Sequence, residues 1–343
     1  MNASRGLLIR ARLDSRMLKK RDSNIEAYRC FLMFGIVALH CAYVTLGSFT
    51  WENNIWKWCV DGFAFISGYC CIRQFSLKKV FRLYLQALFC LVMMETFNVV
   101  FNGVSFAWGV RVWRVFCDLW FLHAYVFLMA VAPLINLAAA SEQRLKLLMP
   151  LLGMVFLWGM CCELPFVGAV MPKISGIQSF SGLTLAGAYA AGRLYNVYGC
   201  NEKIKLWWVI VAMPILLLAF CFGIQHRGEW VSGWLGNYIS PLTLLMTACG
   251  FYVFSRIRFP GIMGKVILFI APSMFSVYVI HSHPLWWEWM RGKGVSLVNM
   301  YPAFPVLLAL ALVVFLGSVA CDLVRRSIFG CVDRIVRRDE DRV

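Results

Sequence analysis

IEAYRCFLMFGIVALHCAYVTL, residues 25–46, is long and apolar enough to cross a bilayer, yet it contains Glu26, Arg29 and His40. Arg29 and His40 are eleven residues apart. On a helix that spacing returns to within about 20° of the same azimuth, with a rise of roughly 16 Å. Both side chains therefore lie on one stripe, at two depths. Each ionisable group inside a span costs roughly 2.5–3.5 kcal/mol by insertion scales, so such residues are functional candidates by default. The plain alternative is a pair of polar residues gluing this helix to its neighbours.

Outward from that stretch, the composition has the same character. Of 343 residues, 61% are hydrophobic and only 15% charged, and the mean hydropathy is +0.71. A soluble domain is nearer half apolar and a quarter charged. The net charge of +16 does not point to nucleic acid, because the basic residues gather at helix ends on alternate connections. The fourteen cysteines are scattered mostly through apolar runs, with no CxxC. They read as small membrane-embedded residues rather than zinc ligands or bridges. No HExxH or similar spacing is present, so no metal is expected.

Further apolar runs predict spans near 54–73, 79–101, 119–139, 145–163, 177–195, 204–224, 237–255, 264–288 and 302–324. The fold class is all-α integral membrane, with about ten transmembrane helices. Gly176, Gly182, Gly187 and Gly192 dilute the run at 177–195, which suits close helix packing. Residues 1–24 form a basic segment, 25–324 the helical domain and 325–343 a basic tail. No cleavage site follows the first run, and Met17 is an alternative start that keeps a basic flank. With both termini cytoplasmic, the inside flanks carry about four times as many Lys and Arg as the outside connections. The long outside connection 102–118 reads equally as an interfacial segment or as a loop with Trp anchors.

These directions set depths. Arg29 falls near the cytoplasmic end, level with Lys78, Lys79 and Arg82 at the start of the third helix. That basic cluster is either ordinary positive-inside anchoring or a holder of donor phosphates. His40, Asp61, Glu95, Asp118, His123, His281 and His283 fall in the outer half. A layer of imidazoles and carboxylates suits proton transfer, in general acid–base chemistry or in a transporter's relay.

Five stretches, in order, resemble the membrane-bound acyltransferase family 3. NIEAYRCFLMFGIVALHC is similar to its Arg-x10-His opening helix, at Arg29 and His40. VDGFAFISGYC resembles its Asp-x-Phe-Phe-x-x-Ser-Gly stretch, with Asp61, Phe63, Phe65, Ser67 and Gly68. SLKKVFRLYLQ is similar to its Lys-Arg-x-x-Arg-Leu-Tyr-Pro segment, DLWFLHAYVFLMAVAPLIN to a Trp-Phe-Leu helix, and FSVYVIHSHP to Tyr-Leu-Ile-His. Leu85 replaces a common Pro, Ala64 separates the two phenylalanines, and His283 is an additional histidine. The similarity covers about residues 24–324 and corresponds to the membrane-only form.

The resemblance implies an O-acyltransferase of the bacterial inner membrane. It would carry an acyl group, usually acetyl, from acetyl-CoA or another acyl-CoA to a hydroxyl of a cell-envelope glycan or lipid-linked saccharide. Donor phosphates would meet Lys78, Lys79, Arg82 and Arg29. His40 would act as general base or as nucleophile, with Asp61 or Glu95 orienting its ring and His281 assisting. His123, Tyr278 and Trp120 are the candidate acceptor-binding residues. The rival class is a proton-coupled transporter or flippase of a polysaccharide precursor. Against it stands the lack of an internal repeat or of matching broken helices. A sensor or scaffold is disfavoured by the intact Arg29 and His40.

Overall fold

The computed structural model describes residues 22–47, 50–103, 105, 108–146, 149–150, 181–199, 205–226, 238 and 240–340. Among these there is no strand. The opening helix, α1, runs Ser23–Leu46. Asp22 caps it by accepting the Asn24 N–H at 2.9 Å, and Glu26 in the first turn complements the helix dipole. α1 sits centrally: Tyr28, Leu32, Val37 and Cys41 are wholly buried, against helices contributed from both halves of the chain.

The predicted span 54–73 is interrupted. α2 (Trp51–Asn54) and α3 (Trp58–Cys70) are separated by a turn containing Lys57. α3 stops at Cys71, which adopts a left-handed conformation with φ 64°. α4 (Leu77–Asn102) matches the span 79–101 and ends on Gly103 at φ 63°, where a glycine meets the left-handed cap without a Cβ penalty. Within the connection 102–118, residues 108–118 are helical. A π-helical turn (Trp108–Val112) leads into α5 (Trp113–Asp118), and Val112, Val115 and Phe116 are buried. α6 (Trp120–Ala139) follows, matching 119–139. The span at 145–163 lies almost wholly outside the described residues.

α7 (Ser181–Tyr198) corresponds to the glycine-diluted run, and Gly192 makes the close packing expected of it. A Cβ on Gly192 would strike the Phe65 carbonyl of α3, and one on Gly68 of α3 would strike the Tyr189 carbonyl of α7. The two backbones thus touch reciprocally, the close approach that small residues permit in a membrane. α8 (Leu206–His226) and α9 (Pro241–Arg256) come next. Polar ties link α9 to the centre: Tyr28 donates to the Thr247 carbonyl at 2.9 Å, and Thr247 donates to the Trp58 carbonyl at 2.9 Å.

The span 264–288 is also corrected. α10 (Gly261–Ile270), a 3₁₀ turn (Ala271–Ser273) and α11 (Met274–His281) run together, but the helix breaks at Ser282-His283. Pro284 has no N–H to continue the ladder, and His283 caps the new helix, α12 (Pro284–Val298), by accepting the Leu285 N–H at 3.2 Å. α13 (Ala303–Glu340) starts where the last span was expected and continues as helix through most of the basic tail.

Five of these segments are long and apolar enough to cross a membrane: Ser23–Leu46, Leu77–Asn102, Trp120–Ala139, Gly261–His281 and Ala303–Phe329. Two shorter apolar stretches, Leu206–Ala219 and Leu242–Arg256, accompany them. Their outward faces carry large apolar residues, including Phe101, Leu218 and Ile262, 70–80% exposed. Such surfaces belong against lipid rather than water. The protein is an all-α membrane protein.

Candidate active site

One stripe of α1 lines two adjoining cavities. Residues 29, 33, 36 and 40 recur at helical spacing, and Arg29 and Met33 line the larger cavity while Met33, Ile36 and His40 line the smaller. The larger cavity encloses about 270 Å³ and also meets Glu26, Ser67, Leu83 and Tyr125. The smaller encloses about 20 Å³, room for about one water. Met33, Phe63, Phe121 and Tyr278 line both and form the neck between them. Cavity-lining residues therefore follow α1 from Arg29 to His40, with these four shared side chains standing between the two spaces.

At one end, Arg29 Nη1 donates to Glu26 Oε1 at 2.7 Å. One side of the guanidinium is thereby fixed, and among the described residues its other N–H groups have no partner. Lys78, Lys79 and Arg82 are exposed on the first turns of α4 and do not line either cavity, although Leu83 of the same helix does.

At the other end, the hydrogen bonds determine the protonation pattern of two histidines. His281 is wholly buried, and its Nδ1 lies 2.7 Å from the Val277 carbonyl, which only accepts. Nδ1 therefore carries the proton, and Nε2 of a neutral His281 is an acceptor. That Nε2 lies 2.7 Å from His40 Nδ1, with the rings stacked at 4.9 Å between centroids. His40 must then donate through Nδ1, leaving an unprotonated Nε2 on a ring that lines the smaller cavity. Trp287 of α12 packs on the same ring at 5.7 Å. A histidine oriented through Nδ1 and basic at Nε2 is the arrangement that general-base catalysis requires.

The expected layer of histidines divides into three separate places. Only His281 joins His40. His283 Nε2 faces Glu95 Oε2 at 3.5 Å, and Glu95 Oε1 accepts from Arg111 Nε and Nη2 at 2.8 and 2.6 Å. Arg111 also donates to the Ser105 carbonyl. Because His283 Nδ1 accepts the Leu285 N–H, its proton sits on Nε2, facing the carboxylate. This chain, buried at Glu95 and His283 and part-exposed at Arg111, ties the π-helical turn to α4 and to the break between α11 and α12. His123 belongs elsewhere: Nε2 donates to the Phe116 carbonyl at 3.1 Å and Nδ1 lies 3.3 Å from the Tyr84 hydroxyl. It lines neither cavity, whereas Trp120 and Tyr278 line the smaller one beside His40.

Two expected roles are therefore corrected. Neither Asp61 nor Glu95 orients the His40 ring, since His281 occupies its Nδ1 and Glu95 is held by Arg111 and His283. Asp61 is wholly buried on α3, facing Thr243 of α9. Met33, Ile36, Phe63, Phe121, Tyr125 and Tyr238 are cavity residues that had not been singled out for this role. Met33 and Ile36 were readable, because they fall between Arg29 and His40 on the same helical stripe.

The acyltransferase domain family matches residues 22–323, nearly the whole chain. The chain belongs to membrane-bound acyltransferase family 3. Its five quoted stretches all fall within the matched range. No match was found among curated proteins or among solved structures. The protein is thus a membrane acyltransferase.

The Glu95 chain carries a stability prediction. Arg111→Ala leaves the buried Glu95 carboxylate without its guanidinium, and breaking such a pair costs more than never having built it. Thermal unfolding in detergent is expected at lower temperature for Arg111→Ala. Adding Glu95→Gln on that background should recover part of the loss, because the buried charge is gone. If the double variant were less stable than Arg111→Ala alone, the ion pair would not be what holds this segment.

Proposed function

We propose that the protein moves an acyl group, acetyl in the first instance, from cytoplasmic acyl-CoA through the bilayer to a hydroxyl of a cell-envelope glycan or polysaccharide precursor. The observation that carries this reading is the row of cavity-lining residues on α1 that leads from a cation to an oriented base. A pantetheine arm reaches roughly 15–20 Å by ordinary bond lengths, and Arg29 and His40 are separated by roughly 16 Å along α1. The donor would enter at the Arg29 end, with its nucleotide phosphates against the exposed Lys78, Lys79 and Arg82. The small space beside His40 favours a short acyl group.

In this reading the acceptor hydroxyl occupies the water-sized space at His40 Nε2, which Trp120, Tyr238 and Tyr278 wall. Nε2 takes the hydroxyl proton as the oxygen attacks the thioester carbonyl. The tetrahedral intermediate collapses, the carbon–sulfur bond breaks, and the departing thiolate receives the proton from the imidazolium. His281 accepts the His40 Nδ1–H throughout, which keeps the ring in register and stabilises its positive charge. Nothing specific favours the transporter reading.

The test is a comparison of envelope glycans from cells with and without the gene, by mass and proton spectra. Loss of acyl groups from one glycan is expected, with its sugar backbone unchanged. Identical acylation, with the unmodified polymer retained inside the cell, would contradict the proposal and favour transport.

A further inference from the structure

Ser67 and Tyr125 line the larger cavity and contact each other, and their hydrogen bonds leave it a specific chemistry. Ser67 Oγ donates its single proton to the Phe63 carbonyl at 2.8 Å. The 3.0 Å contact between Ser67 Oγ and the Tyr125 hydroxyl must then run from tyrosine to serine. Both protons are used internally. What the pair can still offer a ligand is lone pairs, so it selects an N–H or O–H donor.

Its position is equally informative. Phe63 and Phe121 belong to the neck, while Ser67 and Tyr125, each four residues further along the same helices, line only the larger cavity. The pair therefore sits one helical turn, about 5.4 Å, from the neck on the Arg29 side. In a pantetheine thioester the nearest amide nitrogen is roughly 4 Å from the sulfur by ordinary bond lengths. With the thioester in the neck, that amide N–H falls at the hydroxyl pair.

We propose that Ser67 and Tyr125 form a subsite that reads an amide N–H of the donor's arm. An acceptor-only pair suits the amides of a phosphopantetheine arm, which acyl phosphates and lipid acyl esters lack. This rests on the acyl-CoA reading above. The pair holds the arm in register so that the thioester stops at the neck, within reach of a nucleophile at His40.

The experiment is calorimetric titration of the purified protein in detergent with CoA and with an analogue whose arm amides are replaced by esters, which keeps shape and removes N–H. Wild-type protein is expected to bind CoA about threefold to tenfold more tightly than the ester analogue, the value of one net hydrogen bond. In Ser67→Ala/Tyr125→Phe protein that preference should vanish. Equal wild-type affinities for the two ligands, or a preference that survives the double substitution, would overturn the subsite. Absence of any CoA binding by wild-type protein would instead remove the donor reading on which the subsite stands.

Discussion

Replacing His40 by alanine is expected to reduce acyl transfer by about a hundredfold to ten-thousandfold, the usual contribution of a positioned general base. CoA affinity should change little, because His40 lines the small cavity beyond the neck rather than the cavity that contains Arg29. The expectation rests on two hydrogen bonds that leave little choice. The Val277 carbonyl fixes the His281 proton at Nδ1, and His281 Nε2 then fixes the His40 proton at Nδ1. His281→Phe should lower turnover less severely, since it removes the orienting acceptor but keeps the base. Steady-state rates and calorimetric CoA affinity on the same preparations check both statements. A His40→Ala protein that inserts normally and retains turnover would sink the assignment.

The second large effect concerns α3 and α7. Gly192→Val is expected to destabilise the protein by at least about 1–3 kcal/mol, the range for overpacking a filled interface. The obstacle is the Phe65 carbonyl, a backbone atom that cannot rotate away as a side chain would. The two helices must separate, which also disturbs the facing contact of Gly68 with Tyr189. Tyr189 donates to Asn136 at 2.9 Å and accepts the Ile72 N–H at 2.9 Å, so the end of α3 would loosen with it. Gly187→Ala serves as the control: a Cβ there meets nothing within 4 Å, and melting in detergent should barely change. Equal melting temperatures for the Gly192 and Gly187 variants would contradict the close approach.

How much of this was legible in the sequence depends on whether the information was local. The stripe bearing Arg29 and His40 is a matter of 3.6-residue periodicity, and the structure keeps it, with Met33 and Ile36 filling the steps between. The glycines of the run at 177–195 likewise announce a close contact, because only small residues permit one. The break at Pro284 was written in the chain but masked by the apolar LWWEW that follows, which prolongs a hydropathy signal across a real boundary. Partners were the hard part. Depth assignments put His40, His123, His281 and His283 in one layer, yet depth says nothing about azimuth. The fold turns His281 toward α1, His283 toward Glu95 and His123 toward Tyr84. Sequence depth alone offers Asp61 and Glu95 as partners for the His40 imidazole. That a second imidazole takes that place follows only from the crossing of α1 and α11. Arg111 reads as one more basic residue of an interfacial segment or loop, because its partner Glu95 lies on the preceding helix, before the π-helical turn.

Acyl transfer at the His40 end of α1 is tested most directly by thiol release from acetyl-CoA, using purified protein in detergent with the glycan identified from cells. Wild-type protein is predicted to release CoA in step with acetylation of the glycan, and His40→Ala protein to do neither. Glycan movement across a reconstituted bilayer without CoA release, or glycan-dependent release undiminished in His40→Ala protein, would contradict the account.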